Sequence, residues 1–369
     1  MDLQDRPLVS VVMSVFNVER FLHEAVLSIL DQSLPDFEFI IIDDGSTDGS
    51  GKILDASQNN DSRVVVYHQE NKGLIFSLNR GCALARGKYI ARMDADDVAT
   101  KNRLRWQVDF MESHRDVGVL GGAIEWIDAT GKSLLRCRLP ITDRDIKSAL
   151  YRGDCPFSHP TVLMRKEVLD SVAGYRKSMV HAEDYDLWLR IADRYQLANL
   201  EEVVLKYRVH SSQVSIRRCR QQALSNLAAR IAATSRKNGK PDPFDSIVDI
   251  TPELLSGFGV SEAKQQTTVV RGALSCIRSM CEAGEYATAL TEMHEVLRSY
   301  DVRLVASPEM ADLRLLAARV YWHEGKATKS ILSAGHALLA RPKIIGRPLK
   351  ALMRRIGLAD VPGEIITKF

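Results

Sequence analysis

The chain has 369 residues, of which 45% are hydrophobic and 26% charged, a globular composition that excludes a fibrous or largely disordered protein. Its formal net charge of +3 is too small to predict nucleic-acid binding. No run of about 18 apolar residues occurs and the first ten residues are acidic. We therefore expect a cytoplasmic protein without a signal peptide or membrane span. The six cysteines lack CxxC spacing and are expected to be reduced thiols, with no zinc site.

The first 200 residues alternate between apolar runs and segments in which apolar residues recur at helical spacing. Continuous runs such as Val9–Phe16 are typical of strands buried on both faces of a mainly parallel sheet. The alternation predicts right-handed βαβ units in an α/β fold. In chain order the predicted strands are Val9–Phe16, Glu38–Ile42, Val64–His68, Lys88–Met93, Val117–Ile127 and Val203–Val209, and the predicted helices are Phe21–Leu30, Phe76–Ala85, Arg103–His114, Asp143–Leu150, Lys166–Val172 and Glu183–Arg194.

Beyond about Ser215 the composition changes to alanine- and leucine-rich helical segments. Lys237–Pro243 is predicted to be a loop. Gly272–Tyr300 and Ala311–Ala340 are each predicted to form a helix pair joined at a glycine, similar to the hairpins of helical-repeat proteins. We therefore predict an α/β domain over residues 1–215 and an α-helical region over residues 216–369.

Two acidic clusters follow predicted strands, and ligands of such sheets bind beyond the carboxyl ends of the strands. One cluster is Asp94, Asp96 and Asp97, whose crowded carboxylates repel each other unless a cation joins them. Oxygen ligands suit Mg²⁺ or Mn²⁺, which complete their coordination with water and substrate phosphates. The cluster therefore predicts a divalent metal site. The alternative is a solvated acidic turn that caps the next helix.

The second cluster, Asp43 and Asp44, ends the second predicted strand. A carboxylate there can accept a hydrogen bond from a ribose hydroxyl or a nucleobase N–H. The alternative is an Asx turn, because the sequence Asp-Asp-Gly-Ser also favours turns. Ser46 is a suitable residue to cap the next helix.

Three further positions have chemistry-bearing side chains. Glu183 and Asp184 open a predicted helix, where a carboxylate serves either as a general base or only as a partner of the helix dipole. His159 and His210 lie outside apolar helical faces, and most such histidines are surface or core residues. His210 follows a strand and precedes several serines, a setting that suits phosphate or metal contact.

These segments together resemble the family 2 glycosyltransferases of the GT-A fold, inverting enzymes of bacterial polysaccharide type that use nucleotide-sugar donors. The resemblance covers about the first 215 residues. Lys101 replaces the proline that usually follows the acidic motif, a helix-start preference without chemistry. The matching segments are VSVVMSVFN from Val9, SILDQS from Ser28, FIIIDDGSTDGS from Phe39, Asn71, Gly73, LNRGCALARGKYIARMDADD from Leu78, HPTVLMRK from His159, AEDYDLWLR from Ala182 and YRVHSSQVS from Tyr207.

The resemblance implies a GT-A, Rossmann-like sheet and a metal-dependent inverting transfer of sugar from a nucleotide donor, by family habit UDP-linked. The implied acceptor is a glycan or lipid-linked molecule of polysaccharide biosynthesis. The resemblance implies that Asp44 binds the nucleobase with support from Asp43, that Ser14 and Phe16 line the same pocket, and that Asp94 contacts the ribose. It implies that Asp96 binds Mn²⁺ or Mg²⁺, with Asp97 as the competing ligand, and that Asp184 is the catalytic base. It further implies that His210 contacts the pyrophosphate and that residues 73–79 border the nucleotide.

Two other functions compete with this interpretation. One is a lapsed transferase domain that presents the helical region as a scaffold, and the other is a nucleotidyltransferase. The second lacks support because no glycine- and basic-rich phosphate loop lies near the N-terminus. The basic amphipathic segment Arg341–Arg355 predicts peripheral contact with the inner face of the cell membrane. The alternatives are a solvated helix face and a surface that pairs subunits in a homo-oligomer.

Overall fold

A computed structural model describes residues 6–210, 216–299 and 307–340. The chain forms two compact units. The first contains the residues through Arg208 together with Ala229–Val248, and the second contains Val209–Ala228 and the residues from Asp249 onward. The helix Ile216–Lys237 therefore contributes to both units. The domain boundary after residue 215 stays a prediction.

Within the described residues, the first unit contains nine strands joined in one mixed sheet. The strands are β1 (Val9–Val15), β2 (Phe37–Asp43), β3 (Val64–His68), β4 (Tyr89–Asp94), β5 (Val98–Ala99), β6 (Val117–Ile127), β7 (Ser133–Cys137), β8 (Leu163–Arg165) and β9 (Gln196–Arg208). Their order is β3-β2-β1-β4-β8-β6-β9-β5, and β7 pairs with β6. The helices between them are α1 (Glu19–Leu30), α2 (Ser50–Asn60), α3 (Leu74–Leu84), α4 (Arg103–Ser113), α5 (Asp143–Arg152), α6 (Lys166–Ser171) and α7 (Glu183–Ala192).

The parallel half of the sheet fixes where the site lies. Strands β1 and β2 are buried almost along their full length, as expected for valine- and isoleucine-rich strands covered on both faces. In the register of the sheet, Ser14 lies opposite Asp94 of β4 and Val15 lies opposite Asp43 of β2. Because these strands are parallel, both acidic clusters lie at one edge of the sheet. The predicted α/β class with a mainly parallel sheet is confirmed.

The turn after β2 differs from the prediction. Ser46 does not cap α2, which begins at Ser50 with Gly49 in the capping position. Instead the Ser46 hydroxyl accepts a hydrogen bond from the Asn17 backbone N–H at 3.1 Å, and the Asn17 side chain accepts one from Thr47 N–H at 2.8 Å. These contacts connect the loop to the end of β1, and the helix begins three residues later than a Ser46 cap would place it.

The short strands β5, β7 and β8 were not predicted, and β9 is longer than its apolar pattern indicates. Strands β5 and β8, of two and three residues, are too short for a periodic signal, and in β7 only Cys137 of its five residues is buried. The first half of β9 contains Glu201 and Glu202, which are exposed and interrupt the apolar pattern.

The second unit is helical, which confirms the predicted helical C-terminal region. Its helices are α8 (Ile216–Lys237, shared with the first unit), α9 (Pro252–Gly257), α10 (Glu262–Glu282), α11 (Tyr286–Ser299), α12 (Ser307–His323) and α13 (Ala327–Ala340). Helices α10 to α12 enclose one apolar core that includes Ile277, Met293 and Val320. Gly284 and Gly325 have positive φ at the two hairpin turns, a conformation that glycine adopts at little cost.

Among the described helices, none is both long enough and apolar enough to cross a membrane. The segment Arg341–Arg355, for which we predict membrane contact, lies outside the described residues.

Candidate active site

Three carboxylates gather just beyond the end of β4. One oxygen each of Asp94, Asp96 and Asp97 lies within 4.8 Å of the others. Asp97 is fully buried, and its Oδ1 accepts a hydrogen bond from Arg208 N–H at 2.7 Å. Its buried Oδ2 has no hydrogen-bond partner among the described residues. Burial, together with repulsion by the other two carboxylates, raises the pKa of Asp97 well above its ordinary value. An orphaned oxygen among oxygen ligands fits a hard divalent cation.

Arg92 supplies positive charge inside this cluster. Its side chain is only 4% exposed, and its guanidinium Nη1 forms an ion pair with Asp94 Oδ1. Burial raises the pKa of Asp94, while the charge of Arg92 acts in the opposite direction. Arg92 also interacts electrostatically with Glu183 and Asp184 at the start of α7, and both of these carboxylates interact with Asp94. The acidic cluster after β4 and the predicted base at the start of α7 therefore interact electrostatically with each other and with Arg92.

Arg208, at the end of β9, fixes the acidic loop from the opposite side. Its side chain is nearly fully buried. Its backbone N–H binds Asp97, its Nε donates to the Asp96 carbonyl oxygen at 2.8 Å, and its Nη2 donates to Glu24 of α1 at 2.6 Å. We call these contacts the Arg208 brace, because they connect the loop to β9 and α1.

The predicted base lies on a well-packed helix. Glu183 is buried, and Asp184 is partly exposed. Burial, and to a smaller extent repulsion from Asp184, raises the pKa of Glu183 to about 7. Burial also raises the pKa of Asp184, while the hydrogen bond that the Tyr185 N–H donates to its Oδ1 at 2.7 Å lowers it. The Tyr185 hydroxyl donates to the Leu150 carbonyl at 2.6 Å and anchors this first turn. A carboxylate of raised pKa in a fixed position suits proton abstraction.

Asp43, the last residue of β2, and Asp44, which follows it, both accept hydrogen bonds from the protein. Asp43 Oδ1 accepts a hydrogen bond from the Ser46 N–H, three residues on, at 3.1 Å. Asp44 is buried and accepts three hydrogen bonds from the described residues. A carboxylate has about four lone-pair positions, so one position is left to accept a further hydrogen bond. The donors to Asp44 are Gln69 Nε2 at 2.6 Å, the Lys72 N–H at 2.9 Å and the Gly73 N–H at 2.8 Å.

Gly45 allows the loop 69–73 to approach Asp44. Its φ of +79° lies in the left-handed region, and a Cβ atom added there would lie 2.8 Å from the Asn71 backbone nitrogen. Side chains are excluded at that distance, so only glycine lets the two loops meet. The Asp-Asp-Gly sequence therefore serves both the turn and the position of Asp44.

His68 gives this region a pH-dependent contact. It pairs with Asp43 at 2.8 Å and Asp55 at 3.0 Å, and the hydrogen bond to Asp43, assisted by that to Asp55, raises the pKa of His68. A raised folded-state pKa stabilises the protein below the unfolded value of about 6.5, and this contribution is lost as pH rises through the raised value. We expect His68→Gln to lower thermal stability at pH 5.5 by up to about 1 kcal/mol, because the ring is half exposed, and by less at pH 8.5. Equal melting shifts at the two pH values would contradict this expectation.

The other residues predicted for the site, Ser14, Phe16, His159 and His210, differ from one another in exposure. Ser14 is partly exposed beside Asp94, and Phe16 is 51% exposed just beyond β1. His210 lies two residues after β9 and is partly exposed; its contact with pyrophosphate stays a prediction. His159 is buried, with Nε2 at 2.9 Å from the Tyr175 hydroxyl, and burial holds the pKa of His159 well below its ordinary value. His159 is therefore a neutral core histidine.

Sequence reasoning missed Arg92, Arg208 and Gln69. Arg92 had a usable signal, because residues two apart on a strand point to the same face and Arg92 precedes Asp94 by two. Arg208 and Gln69 contact the aspartates through the tertiary fold, and no local pattern marks them.

Comparisons with known proteins identify the family of the chain. The family model "Glycosyl transferase family 2" matches residues 10–173. An uncharacterized glycosyltransferase, MJ1057 of Methanocaldococcus jannaschii, is 34% identical over 225 residues, which cover 60% of this chain and 77% of that protein. The O-antigen biosynthesis glycosyltransferase WbnJ of Escherichia coli is 34% identical over 215 residues, covering 57% of this chain and 83% of the relative.

A solved structure shows the same fold. It is the mannosyltransferase PcManGT from Pyrobaculum calidifontis in complex with GDP-Man and Mn²⁺, with a TM-score of 0.51 and 17% sequence identity. The match covers 91% of this chain and 88% of that one. The α/β sheet is therefore of the GT-A type. Given the curated relatives that align over most of their length, the chain belongs to glycosyltransferase family 2.

Proposed function

We propose that this chain transfers a sugar from a nucleoside diphosphate donor, UDP-linked, to a hydroxyl of a glycan or lipid-linked acceptor, with inversion at the anomeric carbon. One observation carries the proposal. The carboxylates of the acidic loop and those at the start of α7 act on each other electrostatically around the buried Arg92. Such an arrangement serves a reaction that develops negative charge on a diphosphate and removes a proton beside it.

The donor end of the reaction uses the edge of the parallel strands. Asp44 is proposed to hold the nucleobase through its remaining lone-pair position, with Asp43 in support and Ser14 and Phe16 beside it. Asp94 is proposed to contact the ribose. Asp96 is the proposed ligand of Mn²⁺ or Mg²⁺, which when bound neutralises charge on the leaving diphosphate. His210 is proposed to contact the pyrophosphate.

Asp97 is the alternative metal ligand, and its surroundings favour a role in orienting the acidic loop. Its Oδ1 is occupied by the Arg208 N–H and the residue is fully buried, whereas Asp96 is partly exposed. We propose that Asp96 binds the cation from the open side. Asp97 then orients the loop, with its orphaned Oδ2 facing the same charge.

The acceptor end uses Asp184. Its carboxylate is proposed to take the proton of the acceptor hydroxyl as that oxygen attacks the anomeric carbon on the face opposite the leaving diphosphate. A single displacement of this kind inverts the configuration. Holding donor and acceptor in line lowers the activation barrier by several kcal/mol. In well-oriented systems this contribution reaches about 7–11 kcal/mol.

Curated relatives support a polysaccharide pathway. Besides WbnJ, the amylovoran biosynthesis glycosyltransferase AmsE of Erwinia amylovora is 35% identical, covering 79% of its length. A lipid-linked acceptor brings the enzyme to a membrane, and we propose peripheral contact through residues 341–355. The division into a catalytic domain, residues 1–215, and a helical region, residues 216–369, belongs to the same proposal, as does self-association through that region.

A donor panel tests the proposed function. The full chain is incubated with UDP-, GDP-, dTDP- and CMP-linked sugars, with Mn²⁺, with Mg²⁺ and with EDTA, and nucleotide release is measured. We expect metal-dependent release of a nucleoside diphosphate, with UDP donors the best. No release from any donor would favour the scaffold alternative. Release of pyrophosphate from a nucleoside triphosphate and a sugar phosphate would favour a nucleotidyltransferase.

A further inference from the structure

Arg92 occupies an unusual place for an arginine. It is buried on β4, two residues before Asp94. Within the part of the chain that the structure describes, its Nε and Nη1 have no hydrogen-bond partner, although Nη1 forms the ion pair with Asp94. A guanidinium normally satisfies its five donors when it leaves water. Here the compensation is charge, because the carboxylates at the acidic loop and at the start of α7 lie around it.

Asp94 therefore has two possible positive partners. One is the permanent charge of Arg92, which is covalently fixed two residues away on the same face of the strand. The other is a divalent cation in the acidic loop, since an oxygen of Asp94 lies within 4.8 Å of oxygens of Asp96 and Asp97. The positive charge of Arg92 beside Asp94 Oδ1 offsets the negative charge that Asp94 would otherwise offer to a cation.

We propose that Arg92 is a positioning residue that holds the Asp94 carboxylate and offsets its charge, so that the donor-free enzyme binds its divalent cation weakly. This inference rests on the proposed metal site. The cation is then held firmly only when the diphosphate of the donor adds its own oxygens. Asp94 stays oriented for the donor, Asp96 remains the proposed protein ligand of the cation, and Asp97 orients the loop.

The proposal predicts a gain of metal affinity, which is the opposite of what damage to a structural residue causes. Arg92→Met removes a positive charge and frees one carboxylate, so Mn²⁺ should bind the donor-free variant about tenfold or more tightly than wild type. Arg92→Lys keeps the charge and should bind Mn²⁺ within about threefold of wild type. Arg92→Met combined with Asp94→Asn removes both charges of the pair and should also return close to wild type.

Isothermal titration of the full chain with Mn²⁺, without and with UDP, tests these expectations, and circular dichroism checks folding. An Arg92→Met variant that binds Mn²⁺ equally or more weakly would overturn the role of Arg92. The wild-type chain gives a second test that needs no variant, because its Mn²⁺ affinity should rise at least about tenfold with UDP. Equal affinity without and with UDP would also overturn the inference. No Mn²⁺ binding under either condition would instead refute the proposed metal site.

Discussion

Asp184→Asn is expected to lower the rate of sugar transfer by about 10²–10⁴-fold, the usual contribution of a positioned general base. Asparagine keeps the shape of the side chain and can still accept the Tyr185 N–H, so the first turn of α7 remains in place. It cannot take a proton from the acceptor. Donor affinity, measured by calorimetry with UDP and Mn²⁺, should stay within about threefold of wild type, because the proposed nucleotide site lies at the ends of β1, β2 and β4.

Glu183→Gln is the matched control for this variant. Glu183 precedes Asp184, is more deeply buried, and has its pKa raised to about 7. Neutralising Glu183 leaves the proposed base, the Asp184 carboxylate, in place, so we expect a smaller loss of rate than with Asp184→Asn. If Asp184→Asn turned over like wild type while Glu183→Gln did not, the base would be Glu183.

Asp96→Ala is expected to abolish metal-dependent donor binding. Changes to residues that only support a metal ligand already cost about 10–100-fold in metal affinity, so loss of a direct ligand should exceed that range. The alanine side chain removes the partly exposed carboxylate without touching the Arg208 brace through Asp97. Titrations of UDP with and without Mn²⁺ should show that the metal no longer improves nucleotide affinity.

Asp97→Asn separates the two candidate ligands. Its amide oxygen still accepts the Arg208 N–H, but one charge is lost beside the cation. If Asp96 is the ligand, this variant should weaken Mn²⁺ binding less than Asp96→Ala does. The reverse order of effects, or an unchanged titration for Asp96→Ala, would move the metal to Asp97.

The parallel half of the sheet was predictable because its signals are local. The unbroken valine run of β1 and the isoleucines of β2 require burial on both faces, which in turn requires helices between parallel strands. The acidic clusters followed from the same argument, since the ends of parallel strands meet at one edge. Asp43 and Asp94 lie there, opposite Val15 and Ser14 of β1.

What the sequence did not reveal depends on contacts between distant residues. Asp96 and Asp97 are neighbours in the chain, and only the fold shows that one is partly exposed and the other buried against residue 208. The start of α2 was misplaced for a related reason. Ser46 has the chemistry of a helix cap, but Asn17, 29 residues earlier, competes for its hydroxyl.

The Arg208 brace has a consequence for anyone who builds chimeric enzymes from this family. The segment matched by the family model ends at residue 173, before α7 and β9. A transplant cut at that point would carry the whole acidic motif but neither its proposed proton acceptor nor the arginine that anchors the motif. The smallest cassette worth exchanging between such enzymes therefore extends through residue 208.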